Sequence, residues 1–226
     1  EEPTIVFTHG NDFYGINFIT SEIVDSLYVK LSGDRNLQYI HKNKLEENPG
    51  MLLVLDQNGK AHKEILKGIY GHGNDSWSAQ KKSYNLKFED RVDLLGMGEN
   101  ENFVLLAGYR DDSLMSYVTT TSLINELRFD YAPEFRLVNL YVEGEYIGIY
   151  FLAEKIAIDK NRVDISNVYE ETKVLNHNYL EASTIVKWKN EGTLAERYFY
   201  EIDNQPEDLT GGYLLEIDVE DYTDKE

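Results

Sequence analysis

The chain has 226 residues and a formal charge of −19, from 22 lysines and arginines against 41 aspartates and glutamates. That excess disfavours nucleic acid and anionic lipid, which bind through basic patches, and the absence of cysteine excludes disulfides, thiol nucleophiles and cysteine zinc sites. With 42% hydrophobic residues, 17 tyrosines and only 4 prolines, the chain can bury a core and favours sheet over a helical bundle.

In chain order, 4–8 reads as a first strand, and Leu27, Val29 and Leu31 alternate with polar neighbours as a second. The stretch 34–50 is polar and ends in Asn48-Pro49-Gly50, a turn signal. Strands are expected at 51–55 and 64–70, with Asn58-Gly59 between them as a hairpin turn. From Ser83 to Phe88 the alternation is clean: Tyr84, Leu86 and Phe88 on one face, Ser83, Asn85 and Lys87 on the other. A short apolar strand follows at 103–107. Asp112 or Ser113 can then cap a helix with Leu114, Val118, Ile124 and Leu127 on its apolar face, ending near Asp130 before Pro133. The strongest hairpin runs 135–142, turns at Glu143-Gly144-Glu145 and returns through 146–152. Beyond it a polar section, 169–205, holds expected strands near 184–188 and 197–202, and a last strand is expected at 212–218. No run of about 18 apolar residues occurs, so no membrane-spanning helix is expected, and Glu1-Glu2-Pro3 does not open a signal peptide. The sum is an α+β chain: a mainly antiparallel sheet with one substantial helix, in a single domain over 1–226.

Two constellations could carry chemistry. Gly71-His72-Gly73-Asn74-Asp75-Ser76 offers a small-residue turn with Lys81 and Lys82 close behind, a pattern that suits phosphate and equally suits a β-turn tied by Asn74 and Asp75. Lys87 on its strand and Glu126 on the following helix have the order of a kinase lysine–glutamate pair, and equally that of a solvated pair. The five histidines show no metal spacing, the acidic tail 218–224 lacks a calcium-loop pattern, and no Gly-x-Ser-x-Gly is present. Trp77 and Trp188 read as core residues or, in a carbohydrate-binding domain, as sugar-stacking platforms.

Taken together, several blocks in order resemble the CotH (spore coat protein H) kinase family. They are Gly71-x-Gly73-Asn74-x-Ser76-Trp77, Lys81-Lys82-Ser83-Tyr84-Asn85-Leu86-Lys87-Phe88, Asp93-Leu94-Leu95-Gly96-Met97 and 103–107. Asp111-x-Ser113-Leu114, Tyr131-Ala132-Pro133, Val142-x-Gly144-Glu145-Tyr146-x-Gly148-x-Tyr150, Glu154-Lys155, 162–165 and 210–213 continue the series. The resemblance covers roughly 65–218: 65–168 is its core, 1–64 matches loosely, and 169–226 is a polar extension with a final strand.

The resemblance implies the N-terminal lobe of a protein-kinase-like fold and, for an intact member, ATP and Mg2+ as cofactors. Lys82 or Lys87 would meet the phosphates, Glu126 would be their acidic partner, Asn74 would belong to the glycine turn, and Glu154 would mark the hinge where adenine sits. Implied partners are a protein substrate in a coat or extracellular assembly and the chain's own C-terminal lobe, at a spore coat or in a secreted or cell-surface setting. The family's catalytic and metal-binding aspartates have no counterpart before Glu226, so no catalytic or metal residue is assigned and the chain alone is expected to be inert. Tyr70 and His72 stand where the family carries arginines, and Ser116 and Tyr117 where it carries an Arg-Asn pair. Losing those guanidiniums removes contacts worth about 1.5–3 kcal/mol each. The alternative is a non-catalytic pseudokinase or surface-binding module on the same scaffold.

Overall fold

In the computed structural model the structure describes residues 4–9, 12–17, 24–111, 113–127, 129, 131–167, 185–189, 196–200 and 214. Backbone contacts group the chain into two compact units, Glu1–Ile156 and Ala157–Glu226.

The first unit opens with an antiparallel hairpin of β1 (Thr4–His9) and β2 (Asp12–Asn17). Seven further strands close into a barrel: β3 (Asp25–Leu31), β4 (Asn48–Leu55), β5 (Ala61–His72), β6 (Ser83–Asp93), β7 (Glu99–Leu106), β8 (Phe135–Val142) and β9 (Glu145–Glu154). Their order is β3-β4-β5-β6-β7-β9-β8, and β8 returns to β3. Every pair is antiparallel except β3 with β8, which run parallel from Asp25↔Val138 to Val29↔Val142. The expected, mainly antiparallel pairing holds, but the sheet closes into a barrel through one parallel seam that was not expected. An odd number of strands forces this, because directions that alternate around a ring of seven must repeat once.

Period-two alternation fills the interior. Leu27, Val29 and Leu31 of β3, Tyr84, Leu86 and Phe88 of β6, and Val138, Leu140 and Val142 of β8 all join one buried cluster. Tyr150 and Leu152 of β9 point inward, while Phe151 between them packs outside with its ring centroid 4.7 Å from that of Tyr117. The β8–β9 turn needs only two residues, Glu143 (φ 52) and Gly144 (φ 80), both left-handed as the twist of a tight hairpin demands. The β4–β5 connection is longer. Asp56 accepts from the backbone N–H of Asn58 and Lys60, and Gly59 takes φ 77.

Two local readings are corrected. The polar stretch 34–50 contains α1 (Leu37–Lys42), six residues capped by the Asn36 side chain, which accepts from Tyr39 N–H; it is too short to show a helical period. Asn48-Pro49-Gly50 begins β4 instead of turning. The fully buried Asn48 amide donates to Glu46 O at 2.7 Å and Ile69 O at 3.1 Å, and Gly50 lets Lys30 O approach where a Cβ would sit only 2.3 Å away.

The helix α2 runs Met115–Leu127. Its entry is held by Asp111, which accepts from Ser116 N–H at 2.9 Å, and by Ser113 Oγ, which accepts from Met115 N–H at 3.1 Å. The expected apolar face is only partly used: Val118 and Ile124 are half-buried, but Leu127 is 61% exposed and Leu114 precedes the helix at φ 55. Tyr117, rather than Leu127, seats α2 on Phe135 and Phe151.

In the second unit Ile158 bridges Val163, and β10 (Ile185–Lys189) pairs antiparallel with β11 (Glu196–Tyr200), close to the two expected strands. Leu214 apart, the strand expected at 212–218 lies outside the described residues.

Candidate functional site

Two glycines inside a strand weaken it unless something must come close. On β5 that something is the segment 43–47 between α1 and β4. A Cβ on Gly68 would lie 2.6 Å from Glu47 Cβ, and one on Gly71 would lie 2.5 Å from Lys44 Cγ and 2.8 Å from the Trp77 ring. Gly71 N–H also donates to Lys44 O at 2.7 Å. The segment is therefore seated on bare backbone, and it brings Lys44 and Glu47 beside the residues of β5 and β6.

After β5 the chain turns at Gly73 (φ 81) into a single 3-10 turn, Asp75–Ser78. Lys44 Nζ reaches the exposed Asn74 Oδ1 at 3.4 Å. Lys82 Nζ donates to Trp77 O at 2.5 Å and Ala79 O at 3.0 Å, and lies 5.0 Å over the Trp77 ring. Its ammonium thus holds the loop's last carbonyls. Lys81 donates to Ala107 O at 2.8 Å and to Ile149 O, over the Tyr150 ring, and burial lowers its pKa.

Lys87 Nζ sits 2.5 Å from Glu47 Oε1, and this hydrogen bond holds the lysine above its ordinary range. Burial, with the Glu47 charge behind it, pushes the Tyr70 phenol up. His72 Nδ1 lies 3.2 Å from Asn85 Oδ1, and Asn85 Nδ2 donates to Gly71 O at 2.9 Å. Burial, followed by the charges of Lys155 and Lys44, holds the imidazole below the usual histidine value despite the Asn85 hydrogen bond. His41 of α1 meets Tyr84 OH at 2.8 Å through Nε2, with the Trp77 ring edge-on to it; burial and then Lys82 lower its pKa.

Of the residues singled out from sequence, Asn74, Lys82 and Lys87 belong to this β5–β6 corner and its loop. Glu126 is exposed on α2, and the acid that meets Lys87 is Glu47. Glu154 is buried at the end of β9, where its Oε2 accepts from Tyr131 OH at 3.1 Å and Glu134 N–H at 2.9 Å. It fixes the segment 131–134 leading into β8 against the end of β9. Lys44 and Glu47 were not singled out from sequence, and Lys155 was read only as part of the Glu154-Lys155 block. The one hint lay in Gly68-x-x-Gly71, two bare positions in a strand. Among the described residues, no three acidic or histidine side chains are grouped to hold a metal ion, and no helix is long and apolar enough to cross a membrane.

The family model described as CotH kinase protein matches residues 69–222. The chain belongs to the CotH kinase family. No curated protein matches it by sequence. The CotH match starts inside β5, so Gly71, Asn74, Lys82 and Lys87 lie within it, whereas Lys44 and Glu47 lie upstream. Part of the corner is thus built by sequence that precedes the matched stretch.

Proposed function

We propose that this chain holds the nucleotide in a CotH-type kinase that phosphorylates proteins of a spore coat or of another secreted or cell-surface assembly. The observation that carries the reading is the β5–β6 corner. In a chain of charge −19, Lys44 reaches the exposed amide of Asn74 beside the glycine turn, Lys44 and Lys155 act on His72, and Lys87 stands farther along β6 opposite Gly68. Cations beside a small-residue turn suit a polyphosphate, whose charge would be repelled elsewhere. In this reading Asn74 and Lys87 face the phosphates, Lys82 acts by holding the loop, and Glu154 braces the strand end near the adenine. Glu126 is the acid presented by α2 to the assembled kinase. Chain order supports the lobe reading: lysine-bearing β6, then β7, α2 and the β8–β9 hairpin ending at Glu154. Bound ATP would supply the transferable phosphoryl group. Magnesium would come with the nucleotide, since the described residues offer no cluster of acids for it.

Calorimetric titration of the 226-residue chain with ATP and Mg2+ tests this. Saturable heat is expected, with affinity at least tenfold weaker in Lys87→Ala and weaker in Asn74→Ala. Equal affinities in both variants would reject the corner as the nucleotide site.

One observation favours a non-catalytic binding module instead. Lys81 and Lys82 are both committed to backbone carbonyls and Lys87 to Glu47, so cations that could meet phosphates already have partners. No heat from ATP and Mg2+ in the same titration would select that reading.

A further inference from the structure

We propose that the outer face of β3, β4 and β5 is a docking groove for an acidic segment of a partner protein, which seats one aromatic side chain beside Tyr28. Apart from Gly144, the residues of this groove precede position 69, where the CotH match begins, and it needs no bound nucleotide.

Strand register assembles the groove. On the outside of the barrel Tyr28 stands opposite Leu53 and Leu53 opposite Lys63, while Lys30 stands opposite Met51 and Met51 opposite Ile65. Along these two cross-strand rows lies a cavity of about 260 Å³, whose lining includes Tyr28, Lys30, Met51, Leu53, Lys63 and, from the β8–β9 turn, Gly144. Small-molecule sites run to about 300–1,000 Å³, so this one suits a single large side chain better than a nucleotide. Met51 and Ile65 are 49% and 63% exposed, and a partner that fills the cavity would cover them.

The walls select the occupant. Tyr141 of β8 stacks on Tyr28 with ring centroids 4.6 Å apart and planes 13° from parallel, and Tyr146 backs Tyr141 at 5.1 Å. Because β8 and β4 flank β3 on opposite sides, the stack covers one face of the Tyr28 ring and leaves the other towards Leu53. A further ring entering there extends the stack against a wall that is already ordered. Charge then selects what carries that ring. Lys63 and Lys67 are exposed on the outward side of β5 with Ile65 between them, while Glu64 falls on the other side by alternation. Lys30 is already paired with Glu143, so the selecting charges are the two β5 lysines. Carboxylates flanking the ring meet them, whereas a basic flank is repelled here and drawn elsewhere on a surface of charge −19.

The capped peptide EEFEE is the probe, titrated into the full 226-residue chain and followed by methyl NMR of Met51, Leu53 and Ile65. Saturable shifts at these three side chains are expected. EEAEE, which lacks the ring, and KKFKK, which reverses the charges, should each bind about tenfold more weakly. Lys63→Glu and Met51→Glu, both at exposed positions, should each weaken EEFEE by a similar factor with the unfolding midpoint unchanged. Equal binding of EEFEE and EEAEE, or of EEFEE and KKFKK, overturns the proposal, as do shifts confined to other residues or no shifts at all. Sedimentation of the peptide-free chain adds a second check: self-association abolished by Met51→Glu would assign the face to a second copy and overturn the partner reading. ATP and Mg2+ titrated in parallel should bind Lys63→Glu and the parent alike. Peptide that binds a chain deaf to nucleotide supports the groove and sinks the kinase reading; nucleotide that binds a chain deaf to peptide does the reverse.

Discussion

The indole of Trp77 rests against Gly71, so close that a Cβ there would come within 2.8 Å of the ring. The same hypothetical atom would meet Lys44 Cγ at 2.5 Å, and the Gly71 N–H is already bonded to Lys44 O. Gly71→Ala must therefore displace the indole, the lysine or both. A destabilisation of about 1–3 kcal/mol is expected, as for other overpacked positions, measured by urea unfolding. Where Lys44 is the group that yields, nucleotide affinity should fall as well.

Glu47→Gln should separate stability from binding. The Lys87–Glu47 pair is roughly one-third exposed on each side, so its loss costs under about 1 kcal/mol after solvent screening. Removing the carboxylate leaves Lys87 free to meet a phosphate. Calorimetry with ATP and Mg2+ should then show affinity raised several-fold with the unfolding midpoint almost unchanged.

Acid stability should lean on Glu143. Burial alone would raise its pKa, but the hydrogen bonds from Lys30 and from the Leu31 backbone N–H hold the carboxyl below the usual range of 4.5. A carboxyl depressed on folding contributes stability that is present above its unfolded pKa and lost as pH falls through its folded one. Thermal melts between pH 5 and pH 2.5 should drop less steeply in Glu143→Gln than in the parent. The neighbouring Gly144→Ala, at φ 80, should cost about 1–2 kcal/mol at every pH.

Near neutrality the histidines set the slope. His41 and His72 both lie below the ordinary value of 6.5, so the unfolded chain binds protons first. Stability conferred by the two neutral rings is complete above pH 6.5 and is lost as pH falls below it. Chemical unfolding at pH 7.5 and pH 5.5 should show the difference, and His72→Gln should reduce it.

Strand content was readable where one face is apolar and the other polar, as in Leu27-Val29-Leu31 and Tyr84-Leu86-Phe88. The closure was not. Nothing in β3 or β8 marks them as parallel neighbours, since pairing direction depends on the path of the whole chain. Asn48-Pro49-Gly50 misled because its turn chemistry describes residues in isolation, whereas a buried Asn48 can replace ladder bonds with its own amide. For the site, the glycine turn, Asn74, Lys82 and Lys87 were legible from residue type. Glu47 as the partner of Lys87 was not, because 40 residues separate them and contact is made only once the segment 43–47 is seated on Gly68 and Gly71.

The β3–β8 seam has a temporal meaning. Ser26 and Asn139, which meet across it, are 113 residues apart, and such distant pairings form late because the intervening chain must first be gathered in. During synthesis β3 can join β4 early, yet its other edge stays bare until residue 142 has left the ribosome. For that interval the nascent chain carries an unpaired strand that a neighbour could seize. Substitutions that slow the β8–β9 hairpin turn should therefore lower soluble yield before they measurably alter the finished molecule.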